Sequence, residues 1–328
     1  MTSAALRSSD PTSELRRLLA AGRFREVLDH FDTIGGTIQP PPEARLLAAT
    51  AATRLGELRT ADQLAGQALG AFVSRADADG RMRAINLIGA IAFEHGRLDE
   101  AEAAFGRALT LARDLADGQM AARASNNLAS VAHLRGEVDG ALSLYREALL
   151  EYQRLGDRRG TAETWLNHGL AFRELQVWAD AAGATAEAVR HAEEMGEPTL
   201  VALAMLGRAE FQIEVGEFPL ARHGITRAAA LSASAEDTLG AAEAGRLRAL
   251  LALREFQPKV AVDEARSAAS IAAEHGSLLL EGECAALMVS ALLALGSRSE
   301  AKAQRERAED IFRKLGAAAH LGRLPEVN

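Results

Sequence analysis

Asparagine recurs at one place in this sequence: Asn86, then Asn126 and Asn127, then Asn167. An amide side chain both donates and accepts hydrogen bonds, so a row of amides suits the backbone of an extended peptide. Arg83 and Arg123 stand forty residues apart ahead of these asparagines, and Phe93, His133 and Arg173 follow them at the same interval. Together they make a polar, partly basic strip in a chain whose 37 basic and 45 acidic residues leave a net charge of −8.

Other chemistry finds little support. The acidic balance argues against a direct nucleic-acid binder, which carries a basic excess. Aromatic residues are 4% of the chain, too few for base-stacking platforms. No phosphate-binding glycine loop, dinucleotide fingerprint, serine nucleophile elbow or two-histidine zinc helix occurs. The eight histidines are scattered, with none paired four residues apart, and His95 and His275 precede a glycine, where a helix end favours a cation. Carboxylates are plentiful, but nothing in the sequence places two of them facing one substrate. The single cysteine, Cys284, lies among apolar and acidic neighbours in "EGECAALMVS", which fits a buried structural thiol. The N-terminal residues contain no apolar core of a signal peptide, and no stretch reaches the length of a membrane span. We therefore expect a cytoplasmic protein that is not an enzyme and needs no cofactor or metal.

The elements that would position the strip come from an internal repeat. Alanine recurs every forty residues from Ala61 to Ala301 and again from Ala68 to Ala308, seven times each without insertion or deletion. A third register keeps small residues at Ala49, Gly89, Ala129, Gly169, Ala209 and Ala249, then Val289. A fourth carries Gly56, Gly96, Gly136, Gly216 and Gly296, and fails at Gln176 and Phe256. Within one unit, Leu128, Val131 and Leu134 form a helical stripe that Gly136 ends by accepting a left-handed backbone. A second stripe holds Ala141, Leu144, Tyr145, Ala148 and Leu149. Asp99 and Asp139 stand where that second helix would need an N-cap, and Pro219 suits the first turn of a later one. The alanine registers mark close helix crossings, where a larger side chain would overpack at about 1–3 kcal/mol. Tyr145 and Phe105 fill the gaps between neighbouring helix pairs. This is the pattern of an all-α solenoid of stacked helix pairs.

The phrase Ala129, Gly136, Ala141, Tyr145 and Ala148 resembles the tetratricopeptide repeat (TPR), in the longer variety found in kinesin light chains and MalT-like regulator arms. The resemblance covers about residues 42 to 317 and implies a right-handed superhelix of antiparallel helix pairs. It also implies that the first helix of each pair lines a concave groove that binds peptides. On that basis the candidate ligand-binding residues are Arg83, Asn86, Arg123, Asn126, Asn127, His133, Asn167 and Arg173. The lysine clamp of chaperone-binding relatives is not matched, since no lysine occurs in this region. In later units Leu206, Gly207, Leu247, Leu250 and Leu287 take comparable places, with Glu210, Glu243 and Glu283 interspersed; that half could hold an apolar ligand segment or close on itself.

The expected organisation is a disordered stretch over 1–12, a degenerate helix pair with Gly22 at its turn and a Pro-rich joint over 13–41, seven repeats over 42–317, and a tail over 318–328. The last repeat, with Ala301, Ala308, Ile311, Phe312 and Leu315 inward and charges elsewhere, fits a solubilising cap. The function this implies is an adaptor or scaffold holding a protein or peptide segment in its groove, with no direct nucleic-acid or membrane partner and the oligomeric state left open. The alternative is a peptide-responsive sensor acting through a separate transcription or signalling partner, because the chain holds no nucleotide-binding loop and leaves no segment for a DNA-binding motif.

Overall fold

The computed structural model describes residues 12–36, 39–235 and 237–327. Every regular element among them is a helix. The chain divides into two compact units, 1–120 and 121–328. The first unit contains α1 (Ser13–Ala20), α2 (Phe24–Gly35), α3 (Pro42–Arg54), α4 (Leu58–Ser74), α5 (Ala78–Glu94) and α6 (Leu98–Asp114). Helix α7 (Gly118–Arg135) follows, and the second unit begins within it. The second unit continues with α8 (Val138–Leu155), α9 (Arg158–Glu174), α10 (Trp178–Met195), α11 (Pro198–Glu214) and α12 (Phe218–Ser234). It ends with α13 (Thr238–Arg254), α14 (Pro258–Glu274), α15 (Leu278–Ala294), α16 (Arg298–Lys314) and the short α17 (Ala318–Gly322). From α5 onward the helices of the pairs are 17 or 18 residues long, joined by short turns, which is why the repeat is forty residues rather than about 34.

Packing follows the registers read from the sequence. Every alanine of the two seven-membered series is at most 2% exposed. In the small-residue register, a Cβ added to Gly89 would stand 2.7 Å from the ring of Phe105, and one added to Gly169 would stand 2.7 Å from the Thr185 methyl. Phe105 and Tyr145 are among the largest fully buried side chains, as their gap-filling role requires. The turn glycines at 56, 96, 136, 216 and 296 all have positive φ. At the two failures the geometry persists without glycine: Gln176 has φ 60° and Phe256 φ 61°. The turn is therefore dictated by the packed helices on either side, and the residue in it conforms.

The capping expectation needs correction. Helices α6 and α8 begin at Leu98 and Val138, with Arg97 and Glu137 as their N-caps and no side-chain cap, so Asp99 and Asp139 lie inside the first turn. There they complement the helix dipole instead. The side-chain caps belong to first helices: Asp77, Asp157 and Asp237 accept from the N–H of Gly80, Gly160 and Gly240, and Asp117 accepts from that of Met120. Pro219 does occupy the first turn of α12, and His95 and His275 are the C-caps of α5 and α14. The expected disorder over 1–12 falls outside the described residues up to Pro11; Thr12 is 3% exposed, and its carbonyl accepts from the N–H of Arg16. Cys284 is wholly buried, and that burial pushes its thiol up to about 12. No described helix is long and apolar enough to cross a membrane.

First helices pack on first helices, α1 on α3 and α3 on α5 in the first unit, α9 on α11, α11 on α13 and α13 on α15 in the second. The approach is close: a Cβ on Gly207 of α11 would stand 2.2 Å from Leu166 Cδ1 of α9. Each unit thus presents a wall of parallel first helices.

Candidate functional site

In the first unit the candidate residues are Arg83 and Asn86, one turn apart on α5. Asn86 is 8% exposed. Arg83 forms a two-pronged ion pair with Glu43 of α3 (Nη2–Oε2 2.9 Å, Nη1–Oε1 3.1 Å) and a third contact from Nε to Asp79 (3.0 Å). Burial works against its charge, but Glu43 and Asp79 outweigh it and hold the guanidinium above its usual value.

In the second unit the structure brings two of the asparagines together. Asn126 Oδ1 of α7 accepts from Asn167 Nδ2 of α9 at 3.4 Å and lies 3.3 Å from Thr164 Oγ1, whose proton goes to the Gly160 carbonyl at 2.7 Å. Both distances exceed the usual 2.7–3.2 Å. Asn127 is half-buried beside them, and Arg123 is exposed near the Tyr152 hydroxyl. Burial pushes that hydroxyl up to about 12 although Arg123 pulls the other way.

His133 and Arg173 are drawn elsewhere. His133 Nε2 lies 2.7 Å from Glu174 Oε2, and Arg173 Nη1 lies 2.5 Å from Glu210 Oε2. The expectation of a partly basic strip is corrected at three of its members: Arg83 in the first unit, and His133 and Arg173 in the second, each face a carboxylate.

For the later repeats two readings are open, an apolar ligand segment or a groove closed on itself, and the leucines divide: Leu250 and Leu287 are half-buried. Leu206 and Leu247 are 2% and 0% exposed and belong to the interior of the second unit. What lines the wall there is a row of ions. Arg246, 8% exposed at its side chain, reaches Glu243 (2.6 Å), Glu210 (3.2 Å) and Glu283 (3.4 Å). Glu210, between Arg173 and Arg246, is held down to about 2: burial raises it, and the two guanidiniums overcome that. Burial raises Glu243, whereas Arg246 and His320 bring Glu283 below its usual value against the same penalty.

The row also meets the far end of the second unit. Arg323, just after α17, pairs with Glu174 of α9, and His320 Nε2 lies 3.3 Å from Glu283 Oε1. Four members of this arrangement were not singled out in the sequence: Glu174, Arg246, His320 and Arg323. A signal existed for some of them, opposite charges about one repeat apart, as in 133/174, 210/246 and 283/320. Arg323 and Glu174, 149 residues apart, left none. No cluster of three or more metal-ligating side chains occurs among the described residues.

This wall of first helices, backed by second helices through buried alanines, is the tetratricopeptide-repeat fold. No protein-family model and no curated protein matches the sequence. Solved structures do match in fold. A Rap protein in complex with Competence and Sporulation Factor aligns at TM-score 0.63 and 15% identity, over 96% of this chain and 95% of that one. The Rap conjugation gene regulator of plasmid pLS20, in complex with the Phr* peptide, aligns at TM-score 0.69 and 15% identity, over 84% and 76%. A chain of the APC/C hetero-tetramer Cut9–Hcn1 aligns at 0.63 and 14%, over 99% and 57%.

Proposed function

We propose that this chain is a non-enzymatic, cytoplasmic peptide-binding adaptor that takes an extended segment of another protein along the wall formed by α7 and α9. The observation that carries the reading is the Asn126–Asn167–Thr164 cluster. Its long, half-buried Asn126–Asn167 amide bond can be exchanged for bonds to a peptide backbone at small cost, because a neutral bond contributes only about 0.5–1.5 kcal/mol net. Asn127 supplies a further amide on the same helix. Two of the fold neighbours are named as complexes with a peptide or a factor, which supports the same use of the fold here. The segment would be read through its main chain, with side-chain specificity supplied by Arg123 and by the acidic row that follows.

The test is a displayed library of random peptides panned against the full chain and against the triple variant Asn126→Ala/Asn127→Ala/Asn167→Ala, with circular dichroism to verify that the variant is folded. Peptides enriched by the unaltered chain and lost at least tenfold by the variant are the expected result. Equal enrichment on both would move the site elsewhere, and no enrichment on either would overturn the peptide-binding reading.

A further inference from the structure

The segment after α16 returns across the second unit instead of leaving it. Ala317 is fully buried and Leu324 is 9% exposed. The His320 ring packs against Phe312 with centroids 5.0 Å apart. Ala319 lies 3.7 Å from the Cβ position at Gly136, in the turn between α7 and α8. Arg305 Nε donates to the Pro325 carbonyl at 3.1 Å, and Arg323 closes the distance to Glu174. Residues 317–325 therefore run as a strap from the last repeat back to the α7–α9 region.

A helix of five residues has no stability of its own, so α17 is held by these contacts and not by its propensity. They are few, and two of the polar ones, from His320 and Arg323, are with carboxylates of the first-helix row. Within the row itself Glu174, Glu210, Glu243 and Glu283 stand against Arg173 and Arg246, two more acidic than basic groups, although helices α9, α11, α13 and α15 taken whole carry seven of each sign. The ends of that row, Glu174 and Glu283, are where the strap places Arg323 and His320, three residues apart on its own sequence. His133 also faces Glu174, and Arg246 also faces Glu283, so both carboxylates keep a partner when the strap leaves. The strap reads as a self-supplied ligand for an acidic surface.

We propose that Glu174 and Glu283 form a docking surface for a basic peptide segment, that residues 317–325 occupy it within the chain, and that a partner's segment carrying an arginine and, about one helical turn before it, a second side-chain donor displaces them. This rests on the peptide-binding reading above and specifies the ligand's chemistry. Release of the strap would give the binding protein two states, which is what a sensor needs.

The experiment uses the full chain and a fluorescently labelled peptide copying residues 317–327, whose binding is read by anisotropy. The unaltered chain, with its strap seated, should bind the peptide weakly. Arg323→Glu, altering a residue whose side chain is 56% exposed, should expel the strap and tighten binding at least tenfold. Adding Glu174→Arg to that variant should abolish the gain. Amide exchange over residues 317–324 should accelerate at least tenfold in Arg323→Glu. Equal affinity for the unaltered and Arg323→Glu chains, or no binding to either, overturns the proposal, as does unchanged exchange. The asparagines are untouched in these variants, so library peptides still captured through them would leave the peptide-binding reading standing while the strap proposal fell.

Discussion

At the scale of single residues, His168 is the clearest case of a side chain kept against its own preference. It is 6% exposed, neither ring nitrogen has a hydrogen-bond partner among the described residues, and it packs against Phe172, Trp165 and Tyr145 with centroids 4.6, 5.7 and 6.3 Å away. Burial, aided by Arg146, lowers its proton affinity below the ordinary value of 6.5. The folded state thus favours the neutral ring, and that contribution is complete above pH 6.5 and is lost as the pH falls below it. Replacing it by phenylalanine keeps the ring and removes two unpaired nitrogens, each a cost of about 1–3 kcal/mol when buried. His168→Phe should raise the urea midpoint at pH 7.5, and raise it further at pH 5. A gap between variant and parent that stays constant with pH would show that the ring takes up its proton equally in the folded and unfolded states, so that burial does not disfavour the charged form. The sequence displayed His168 without this meaning, since a histidine on an apolar face is recognisable as buried only once Trp165 and Phe172 are known to share its side of α9.

At the scale of elements, the repeat was legible because its rules are steric. An alanine at a helix crossing leaves a mark every forty residues, and Ala61 to Ala301 show it without error. Polar roles were less legible, because a cap or an ion pair depends on a few degrees of backbone and on side-chain reach. Asp99 and Asp139 were misplaced by two residues, whereas Asp77, Asp117, Asp157 and Asp237 do the capping. The forty-residue register would pair Asn127 with Asn167, whereas Asn126 makes the bond, and the carboxylates opposite Arg83, His133 and Arg173 lie at offsets from 37 to 41 residues, so no fixed register finds them. The turn register gives a further test. Phe256 is 92% exposed with φ 61°, so its ring contributes little packing while its backbone sits where L-residues are disfavoured by roughly 1–2 kcal/mol. Phe256→Gly should therefore stabilise the protein by about 1 kcal/mol, the entropy of glycine offsetting part of the relief. An unchanged or lower midpoint in urea would mean that the phenylalanine is held by contacts its exposure does not suggest.

At the scale of the molecule, a stack of repeats is bound by neighbour-to-neighbour contacts, so its stability is close to a sum of local terms. The ion row of the second unit departs from that rule, because Glu210 joins α9, α11 and α13 through Arg173 and Arg246. Its folded-state value of about 2, against an ordinary 4.5, means that the charged form is favoured by folding. The contribution is present above about pH 4.5 and is lost as the pH falls from there towards 2. The difference corresponds to about 3 kcal/mol, and Glu174 and Glu283, also lowered, add to it in the same direction. Glu210→Gln leaves Arg173 without a carboxylate and Arg246 with only Glu243 and Glu283. Urea titrations of both chains should show the variant less stable by about 3 kcal/mol at pH 7, with the gap closing between pH 4.5 and pH 2 as the parent's Glu210 takes up its proton. A gap that persists undiminished at pH 2 would mean that the loss comes from packing rather than charge. A gap absent at pH 7 would mean that the desolvation of the three ions cancels their attraction, and that the row serves to position the strap and its competitors without stabilising the fold.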